Sequence, residues 1–433
     1  MSVEASTSPP ATGGNYRPAL AVLSGVFFMW GFATVLNDIL VPHLKAVFQL
    51  DYGQSLLIQF IFYLAYFVTS VPWAKLLERI GYKMSVVAGL GLQATGALLF
   101  VPAAQFATFP LFLAALFVLA SGITLLQVAA NPYVAVIGPA SSASMRLNLV
   151  QAFNTMGDAV APLFGGLLIL SRSTTGTQDA TSNVVISLEE RLADARAVEL
   201  PYLLVVAILL GLALLIWRFH LPDISAGNRR AASEERKHQS LWRHRNLVFG
   251  VPAIFIYMIA EIGIASTLVN YISLPEIGNM SHADAAKYLT FMWSGAMVGR
   301  FGGAFLMRRF RPEALLVVVS VAAFGLTVTS VATSGGIAMW TLIMLGLCHS
   351  IMFPTIFTLG IRGLGPLTEE GSGLLIMAIS GGACAALQGV IADHVGLQLS
   401  LLLPAACYAY VLFYAVWGSR PVGGIEDRVL SQE

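Results

Sequence analysis

An acidic residue interrupts the first apolar stretch of the chain. Residues 18–44 are almost wholly apolar, yet the segment TVLNDILVPH within them places Asp38 beside Asn37 and four residues before Pro42. A charge at the centre of a membrane helix costs about 2.5–3.5 kcal/mol, so an intramembrane acid marks function by default. Because Pro42 cannot donate to the Asp38 carbonyl, that carbonyl needs water or protein beside it. We therefore expect Asp38 to line a wet cavity and to carry a proton; the alternative is a carboxylate tied to a neighbour for packing.

A stripe of polar side chains runs along another apolar stretch, RLNLVQAFNTMGDAVAP. On a helix, Asn148, Gln151, Asn154 and Asp158 fall within about 120° of one another. Amides both donate and accept hydrogen bonds, so Gln151 and Asn154 are candidate ligands for the hydroxyl groups of a sugar. Asp158 is a candidate proton carrier. The alternative is polar contact between helices, which suits Asn148, near the helix end, best.

Further polar residues lie inside other apolar runs. Gln127 and Asn131 stand one turn apart in LLQVAANPY, where either sugar binding or helix packing would use them. Glu261 lies in the middle of YMIAEIGIASTLVNY and is a second candidate proton carrier, by the same cost argument as Asp38. Three more residues complete the candidate binding cavity: Asn270, Trp293 and Gln388. An aromatic such as Trp293 could stack on a sugar ring, although packing or lipid contact is its more usual role.

The elements that must position these residues follow from the composition. The 433 residues are 57% hydrophobic and 11% charged, whereas soluble domains carry about 25% charged residues. This is too little charge to cover a soluble core, and about 20 apolar residues suffice to cross a bilayer. We therefore predict an all-α membrane protein with twelve transmembrane helices. Their approximate ranges are 18–44, 53–74, 84–104, 109–136, 146–170, 200–219, 247–272, 285–307, 313–332, 337–361, 371–393 and 398–418.

Charge and cysteine content exclude several classes of function. The net charge of +1 indicates no nucleic-acid partner. Cys348, Cys384 and Cys407 lie in predicted spans at spacings that suit neither a zinc site nor a disulfide framework, so no metal is expected. A membrane-embedded enzyme would carry catalytic carboxylates or a metal cluster in a sizeable loop. The long loop at about 171–199 contains SNVVISLEERLADARAVEL, which is typical of a short amphipathic helix without such a constellation. The chain is therefore not expected to be an enzyme, and no cofactor is expected besides the proton as coupling ion.

The positions of Lys and Arg predict the orientation. Nineteen of the 24 basic residues lie in the tails and alternate loops of one side. By the positive-inside rule, we expect both termini of this multi-pass membrane protein to be cytoplasmic. The predicted organisation is a cytoplasmic tail (1–17), an N-terminal six-helix half (18–219), a cytoplasmic linker (220–246), a C-terminal six-helix half (247–418) and a second tail (419–433).

Two pairs of segments indicate that the halves are duplicates. AKLLERIGYKMS at 74–85 and AFLMRRFRPEAL at 304–315 are 230 residues apart. GPASSASMRLNLVQA begins at Gly138, and GPLTEEGSGLLIMAI begins 227 residues later at Gly365. Weak similarity at a shared offset, with six spans in each half, is typical of duplicated transporters.

The first of these segments resembles the loop between helices two and three of the major facilitator superfamily. In that family a short turn with basic, acidic and glycine residues closes the cytoplasmic side. Glu78 and Arg79 would fill it here, with Glu in place of the usual Asp. Arg300 and Arg308 would serve in the second half. The resemblance implies that these four residues are structural and gating residues, not ligands of the substrate.

Longer motifs resemble one branch of this superfamily, the fucose-galactose-glucose proton symporters. They are FFMWGFATVLNDILVPHLKAVFQL, LLQVAANPYVAVIGP, RLNLVQAFNTMG and MFPTIFTLGIRGLG, and the resemblance covers roughly residues 18–418. In a fucose-transporting member, an Asp in the first helix and a Glu in the fourth are tied to sugar binding and proton coupling. An Asn in the fifth helix, with a Gln one turn before it, supports the sugar site. These positions fall on Asp38, Gln127, Asn154 and Gln151, and Gln127 in place of the Glu is a departure.

The resemblance implies a major facilitator fold and symport of a neutral hexose with a proton by alternating access. LLQVAANPY with an acid at Glu261 favours D-glucose or D-galactose; L-fucose, N-acetylglucosamine, and an uncoupled uniporter or sensor remain open. Because Gln127 cannot carry a proton, Asp158 and Glu261 are the replacements if coupling needs a second acid. An exporter of amphipathic drugs would need a more apolar pocket than the amide stripe provides. The expected partners are the sugar, the proton and the lipid bilayer, and the protein is expected to be monomeric.

Overall fold

The computed structural model describes residues 16–48, 52–106, 108–165, 199–219, 221–222 and 239–421. Side chains are described for these residues except 36–48, 52–56, 104, 163–165 and 199–201. All regular secondary structure in this part of the chain is helical. The helices are α1 (Arg17–Phe48), α2 and α3 (52–80 and 82–105, within the helix Tyr52–Gln105), α4 (Phe109–Val136), α5 (Ala143–Gly165), α6 (Glu199–Arg218), α7 (Arg245–Ser273), α8 (His282–Leu306), α9 (Pro312–Ala332), α10 (Gly335–Ile361), α11 (Gly365–Val395) and α12 (Leu397–Gly418).

Most of these helices are long and apolar enough to cross a membrane. Eight stretches qualify by length and composition, and one of them, Leu57–Ala103, contains both α2 and α3. Helix α6 is apolar and has 20 residues, whereas α5 and α8 carry more polar residues than the other spans. The prediction of an all-α protein with twelve membrane helices is confirmed. The predicted linker and tails lie largely outside the described residues, so their boundaries stay predictions.

The turn between α2 and α3 depends on a single glycine. Gly81 has φ 80° and ψ 170°, a backbone conformation that side chains with a Cβ rarely adopt. It lies in the sequence RIGYK, next to Glu78 and Arg79. The chain can therefore reverse here without a loop of extra residues, and Tyr82 stacks on Tyr133 of α4 with ring centroids 5.3 Å apart.

Glycines bring α1 and α5 into direct backbone contact. A methyl group on Gly31 would lie 2.2 Å from the carbonyl oxygen of Asn154, and one on Gly157 would lie 2.1 Å from that of Phe28. Small residues at helix crossings let backbones approach closely inside a membrane, where apolar burial alone gives little driving force. This crossing places the polar stripe of α5 against the first helix.

Two pairs of helices make the most extensive contacts between the two halves, residues 16–222 and 239–421. Helix α2 packs on α11, and α5 packs on α8. We call the end of the bundle formed by residues 137–142, 239–244, 307–311 and 362–364 the linker end. The hydrogen bonds that join the halves there or close to it include those between the Ser144 and Thr358 hydroxyls (2.6 Å), from Tyr82 Oη to Glu369 Oε1 (3.3 Å) and from Ser372 Oγ to the Val128 carbonyl (3.0 Å). The bundle is thus held closed at the linker end.

A fully buried arginine closes the C-terminal end of α4. The guanidinium of Arg146 donates from Nε to the Val134 carbonyl (3.0 Å) and from Nη2 to the Ala135 carbonyl (2.6 Å). Its Nη1 donates to the Pro139 carbonyl (2.9 Å) and to the Ser142 hydroxyl (2.5 Å). The last carbonyls of a helix have no partner within the helix, so this side chain satisfies them and fixes the α4–α5 turn.

We expect Arg146→Ala to destabilise the protein strongly. It leaves several buried carbonyls without a donor, and the loss should exceed about 3 kcal/mol, since hydrogen bonds from charged donors are the stronger kind. Thermal unfolding of the purified protein, followed by tryptophan fluorescence, measures it. Arg309→Ala, at an exposed position in the α8–α9 turn, is the matched control. Equal midpoints for the two variants would contradict the role assigned to Arg146.

Candidate functional site

A buried acid lies at the centre of the second half. Glu261 on α7 is only 9% exposed. The hydroxyl of Tyr257, one turn earlier, lies beside its carboxyl group and donates to the His349 carbonyl at 3.1 Å. His349 on α10 is itself buried, and its Nε2 lies 2.5 Å from the Tyr408 hydroxyl on α12. Tyr257, His349 and Tyr408 thus form a hydrogen-bonded chain across three helices, and this chain begins beside the acid.

Arg300 connects this acid to the other half. It lies inside α8, six residues before the helix ends. Its Nε donates to the Ser350 carbonyl on α10 at 3.1 Å. Its Nη1 donates to the Gln151 carbonyl at 3.2 Å and to the Thr155 hydroxyl, both on α5. The same guanidinium is within electrostatic range of Glu261 and Asp158.

Asp158 and Asn154 face the first helix. The Asn154 amide donates to the Phe27 carbonyl at 2.9 Å, so one of its two functional groups packs α5 against α1. Oδ1 of Asp158 would lie 2.6 Å from a methyl group on Gly31. Asp38 belongs to the same helix α1, but its side chain lies outside the described residues. The predicted sharing of a cavity between Asp38 and the α5 stripe therefore stays a prediction.

An amide cluster fills the space between α2, α4 and α5. Gln127 Nε2 donates to the Tyr66 hydroxyl at 2.7 Å, and Gln151 Nε2 donates to Asn131 Oδ1 at 3.4 Å. All three amide side chains are buried. Gln127 Oε1 and Asn131 Nδ2 find no hydrogen-bond partner among the described residues. Buried polar atoms are nearly always paired, so one acceptor and one donor here call for water or a bound solute.

The remaining candidate binding residues do not all converge. Gln388 on α11 is buried; its Nε2 donates to Thr267 at 3.2 Å, and its Oε1 has no partner among the described residues. Trp293 is 39% exposed and lies two turns from Arg300 on the same face of α8, as a cavity wall requires. Asn270 is exposed and lies nine residues after Glu261, which puts it on the opposite face of α7.

Two other polar residues have contacts between helices. Asn148 is buried and donates to the Ser144 carbonyl (2.8 Å) and to Thr355 across the halves (3.4 Å). Arg308 lies over the Phe305 ring at 5.7 Å, at the linker end. At the same end of the second half, Arg362 after α10 forms an ion pair with Glu313 in the first turn of α9.

Sequence reasoning missed the hydroxyl groups that hold the acids and amides. Tyr66, Thr155, Tyr257 and Tyr408 are members of the site, and none stands out in an apolar segment as an amide or acid does. Tyr257 could have been found from its position one turn before Glu261 on the same helical face. Tyr66 and Tyr408 could not, because they come from distant helices.

The site is equipped to bind a neutral polyol and to hold protons. Amides and hydroxyls supply hydrogen bonds in both directions, and buried carboxyl groups can gain or lose a proton. Within the described residues, no group of His, Cys, Asp and Glu side chains could hold a metal ion.

Comparison with known proteins gives concordant matches. Residues 22–387 match the family described as Major Facilitator Superfamily. The chain is 48% identical over 407 residues to the glucose/galactose transporter of Brucella abortus, covering 94% of this chain and 95% of that protein. It is 37% identical over 416 residues to the L-fucose-proton symporter of Escherichia coli K12, covering 94% of each. The crystal structure of a Major Facilitator Superfamily transporter, FucP, in the outward conformation superposes with TM-score 0.85 at 35% identity, over 94% of this chain and 99% of that one.

We expect Gly31→Ala to disrupt the crossing that holds Asn154 and Asp158. The added methyl group would overlap the α5 backbone, so α1 and α5 must separate and the unfolding midpoint should fall by several degrees. Gly25→Ala, on the same helix with no neighbouring atom within 4 Å of the new methyl group, is the control. Because Ala favours a helix over Gly by about 1 kcal/mol, this control should be unchanged or more stable. Equal losses in both variants would rule out a special role for the crossing.

Proposed function

Since the chain belongs to the Major Facilitator Superfamily, we propose that it is a proton-coupled symporter of a neutral hexose. The observation that carries the proposal is the amide cluster of Gln127, Asn131 and Gln151, with one acceptor and one donor atom lacking a partner among the described residues. Vicinal sugar hydroxyls both donate and accept, so they would satisfy these two atoms together. A drug exporter would instead be expected to present apolar and aromatic surface here.

D-Glucose and D-galactose are the favoured sugars. The glucose/galactose transporter of Brucella abortus is 48% identical to this chain, and the E. coli L-fucose-proton symporter is 37% identical. L-Fucose and N-acetylglucosamine are the next candidates. Gln388 and Trp293 of the second half would complete the sugar site, the first by hydrogen bonding and the second by stacking.

Proton coupling is assigned to carboxyl groups of both halves. Asp38 of α1 is the first carrier, because its position matches the acid of the related fucose-transporting proteins. The fourth helix has Gln127 where those proteins have a Glu, so a second carrier must come from Asp158 or Glu261. Glu261 is the better enclosed of the two. A protonated, neutral site crosses the membrane interior at lower cost than an ionised one, which links sugar movement to proton movement.

The proposed orientation has the linker end in the cytoplasm. The excess of Lys and Arg there supports cytoplasmic termini and insertion in the bacterial inner membrane. In this orientation the contacts of Tyr82, Ser144 and Ser372 with the second half close the cytoplasmic side. Transport then requires the two six-helix halves, 18–219 and 247–418, to rock until these contacts separate. We propose that a single monomer performs this cycle.

We expect Asp38→Asn to abolish uphill accumulation while sparing sugar exchange. The protein in liposomes is given D-glucose, D-galactose, L-fucose or N-acetylglucosamine, and the external pH is recorded. Alkalinisation with one sugar, lost in Asp38→Asn, is the expected result, since an amide cannot carry the proton.

Counterflow of labelled sugar is the parallel measurement. Exchange without any pH change in the parent protein would identify a uniporter, and binding without exchange would identify a sensor. Accumulation that persists in Asp38→Asn would remove Asp38 from the proton pathway.

We expect Gln127→Leu to weaken sugar binding about tenfold, because a hydroxyl of the bound sugar would lose its partner. Binding is measured by calorimetry or by tryptophan fluorescence. Gln93→Leu is the matched control, since Gln93 is also a fully buried glutamine but lies on α3, outside the cluster. Equal affinity in Gln127→Leu and Gln93→Leu would place the sugar elsewhere.

A further inference from the structure

Arg300 is a cation of the second half whose side chain donates hydrogen bonds to the first half. Its backbone belongs to α8 and its Nε is fixed to the Ser350 carbonyl of α10. Its Nη1 reaches across to the Gln151 carbonyl and the Thr155 hydroxyl of α5. Helices α5 and α8 must move apart if the linker end is to open, so these two hydrogen bonds must break in that movement.

The titratable groups that face the guanidinium come from three helices. They are Asp158 on α5, Glu261 and Tyr257 on α7, and His349 on α10. Among the described residues, Arg300 forms no direct ion pair with either acid in this conformation; it uses neutral acceptors of α5 instead. A carboxylate is a stronger acceptor for a guanidinium than a carbonyl or a hydroxyl. The charge on the two acids therefore decides which acceptor Arg300 prefers.

The two acids, when ionised, attract the Arg300 guanidinium toward different halves, because Asp158 belongs to the first half and Glu261 to the second. Asp158 is on α5 with Thr155, so its ionisation holds Arg300 across the interface. Glu261 is on α7, in the half that carries Arg300, so its ionisation draws the guanidinium away from α5. We propose that Arg300 is an electrostatic latch between the halves, strengthened by ionised Asp158 and released by ionised Glu261.

This inference deepens the proposed function and rests on it for its purpose, but its test needs neither sugar nor a proton gradient. Two spin labels report the width of the linker end, one at Ser141→Cys in the α4–α5 turn and one at Arg311→Cys in the α8–α9 turn. Both positions are exposed. The native cysteines Cys348, Cys384 and Cys407 are replaced by alanine. Distance distributions are recorded for the full chain in lipid nanodiscs by pulsed electron paramagnetic resonance.

Thr155→Val removes one acceptor of the latch without changing any charge. It should raise the population of the longer, open distance about tenfold, the effect of losing one hydrogen bond to a charged donor. Asp158→Asn should shift the population in the same direction. Glu261→Gln, introduced into the Thr155→Val background, should shift it back toward the closed distance. Thr155→Ser keeps the hydroxyl and should match the parent protein, which separates the latch from a packing effect.

The opposite signs of the two acids are the decisive result. A shift of Glu261→Gln and Asp158→Asn in the same direction would overturn the latch, and so would an unchanged distribution in Thr155→Val.

Each variant is first checked for a single peak in size-exclusion chromatography. Arg300→Lys serves as the second variant and tests the central residue of the latch. Lysine keeps the charge but lacks the planar fork, so the open population should rise as in Thr155→Val; a distribution equal to that of the parent would also overturn the proposal. A protein that fails to move protons but shows these shifts would refute the symport function and leave the latch intact.

Discussion

A charge inside a membrane bundle must be balanced within the protein, and much of this structure follows from that requirement. Arg300 is within electrostatic range of two carboxyl groups, one from each half, and donates to acceptors of two other helices, α5 and α10. Neither acid could remain in its span without a cation or a proton nearby, since isolated intramembrane charge is costly. Arg300 therefore both joins the halves and lowers the energetic cost of the two acids. Moving the halves apart must change the electrostatic interactions among these three groups.

Sequence reasoning reached the architecture because the bilayer imposes it. Every backbone polar group in a span must be satisfied within the segment, so long apolar runs had to be helices, and twelve of them could be counted. The internal offset of about 230 residues relates α2 to α8 and α5 to α11. It thereby relates the two contacts that join the halves, α2 with α11 and α5 with α8. The cytoplasmic orientation of the termini stays a prediction from the distribution of Lys and Arg, and the domain boundaries stay predictions from the apolar runs.

The candidate site was accessible from sequence only in part. Acids and amides are conspicuous inside apolar runs, and Glu261, Asp158 and Gln127 were identified from the sequence for that reason. The hydroxyl groups that contact them could not be found in the same way, because tyrosine and threonine are common in membrane helices. Which hydroxyl contacts which amide depends on how distant segments of the chain cross. The sequence predicts a gating role for Arg300 but not its contacts. Its position six residues before the end of α8 lets its long side chain reach α5, and this depends on how α8 and α5 pack. Gly31 and Gly157 have no signal in the sequence, because their role is to permit the close crossing of α1 and α5.

Under the proposed function, Gln127 stands where the resemblance to the fucose-transporting members implies a Glu, and this would change where coupling can reside. With two acids in the first half, protonation would alter the charge within one rigid group of helices. With Gln127 neutral, the described acids that remain near the centre are Asp158 in the first half and Glu261 in the second, on either side of the interface that must open. The electrostatic energy of such a pair with Arg300 depends on the relative position of the halves, because Coulomb interactions in a site of low dielectric vary steeply with distance. A proton that neutralises one member thus acts directly on the rocking movement, so the loss of an acid from the sugar site need not cost the protein its coupling.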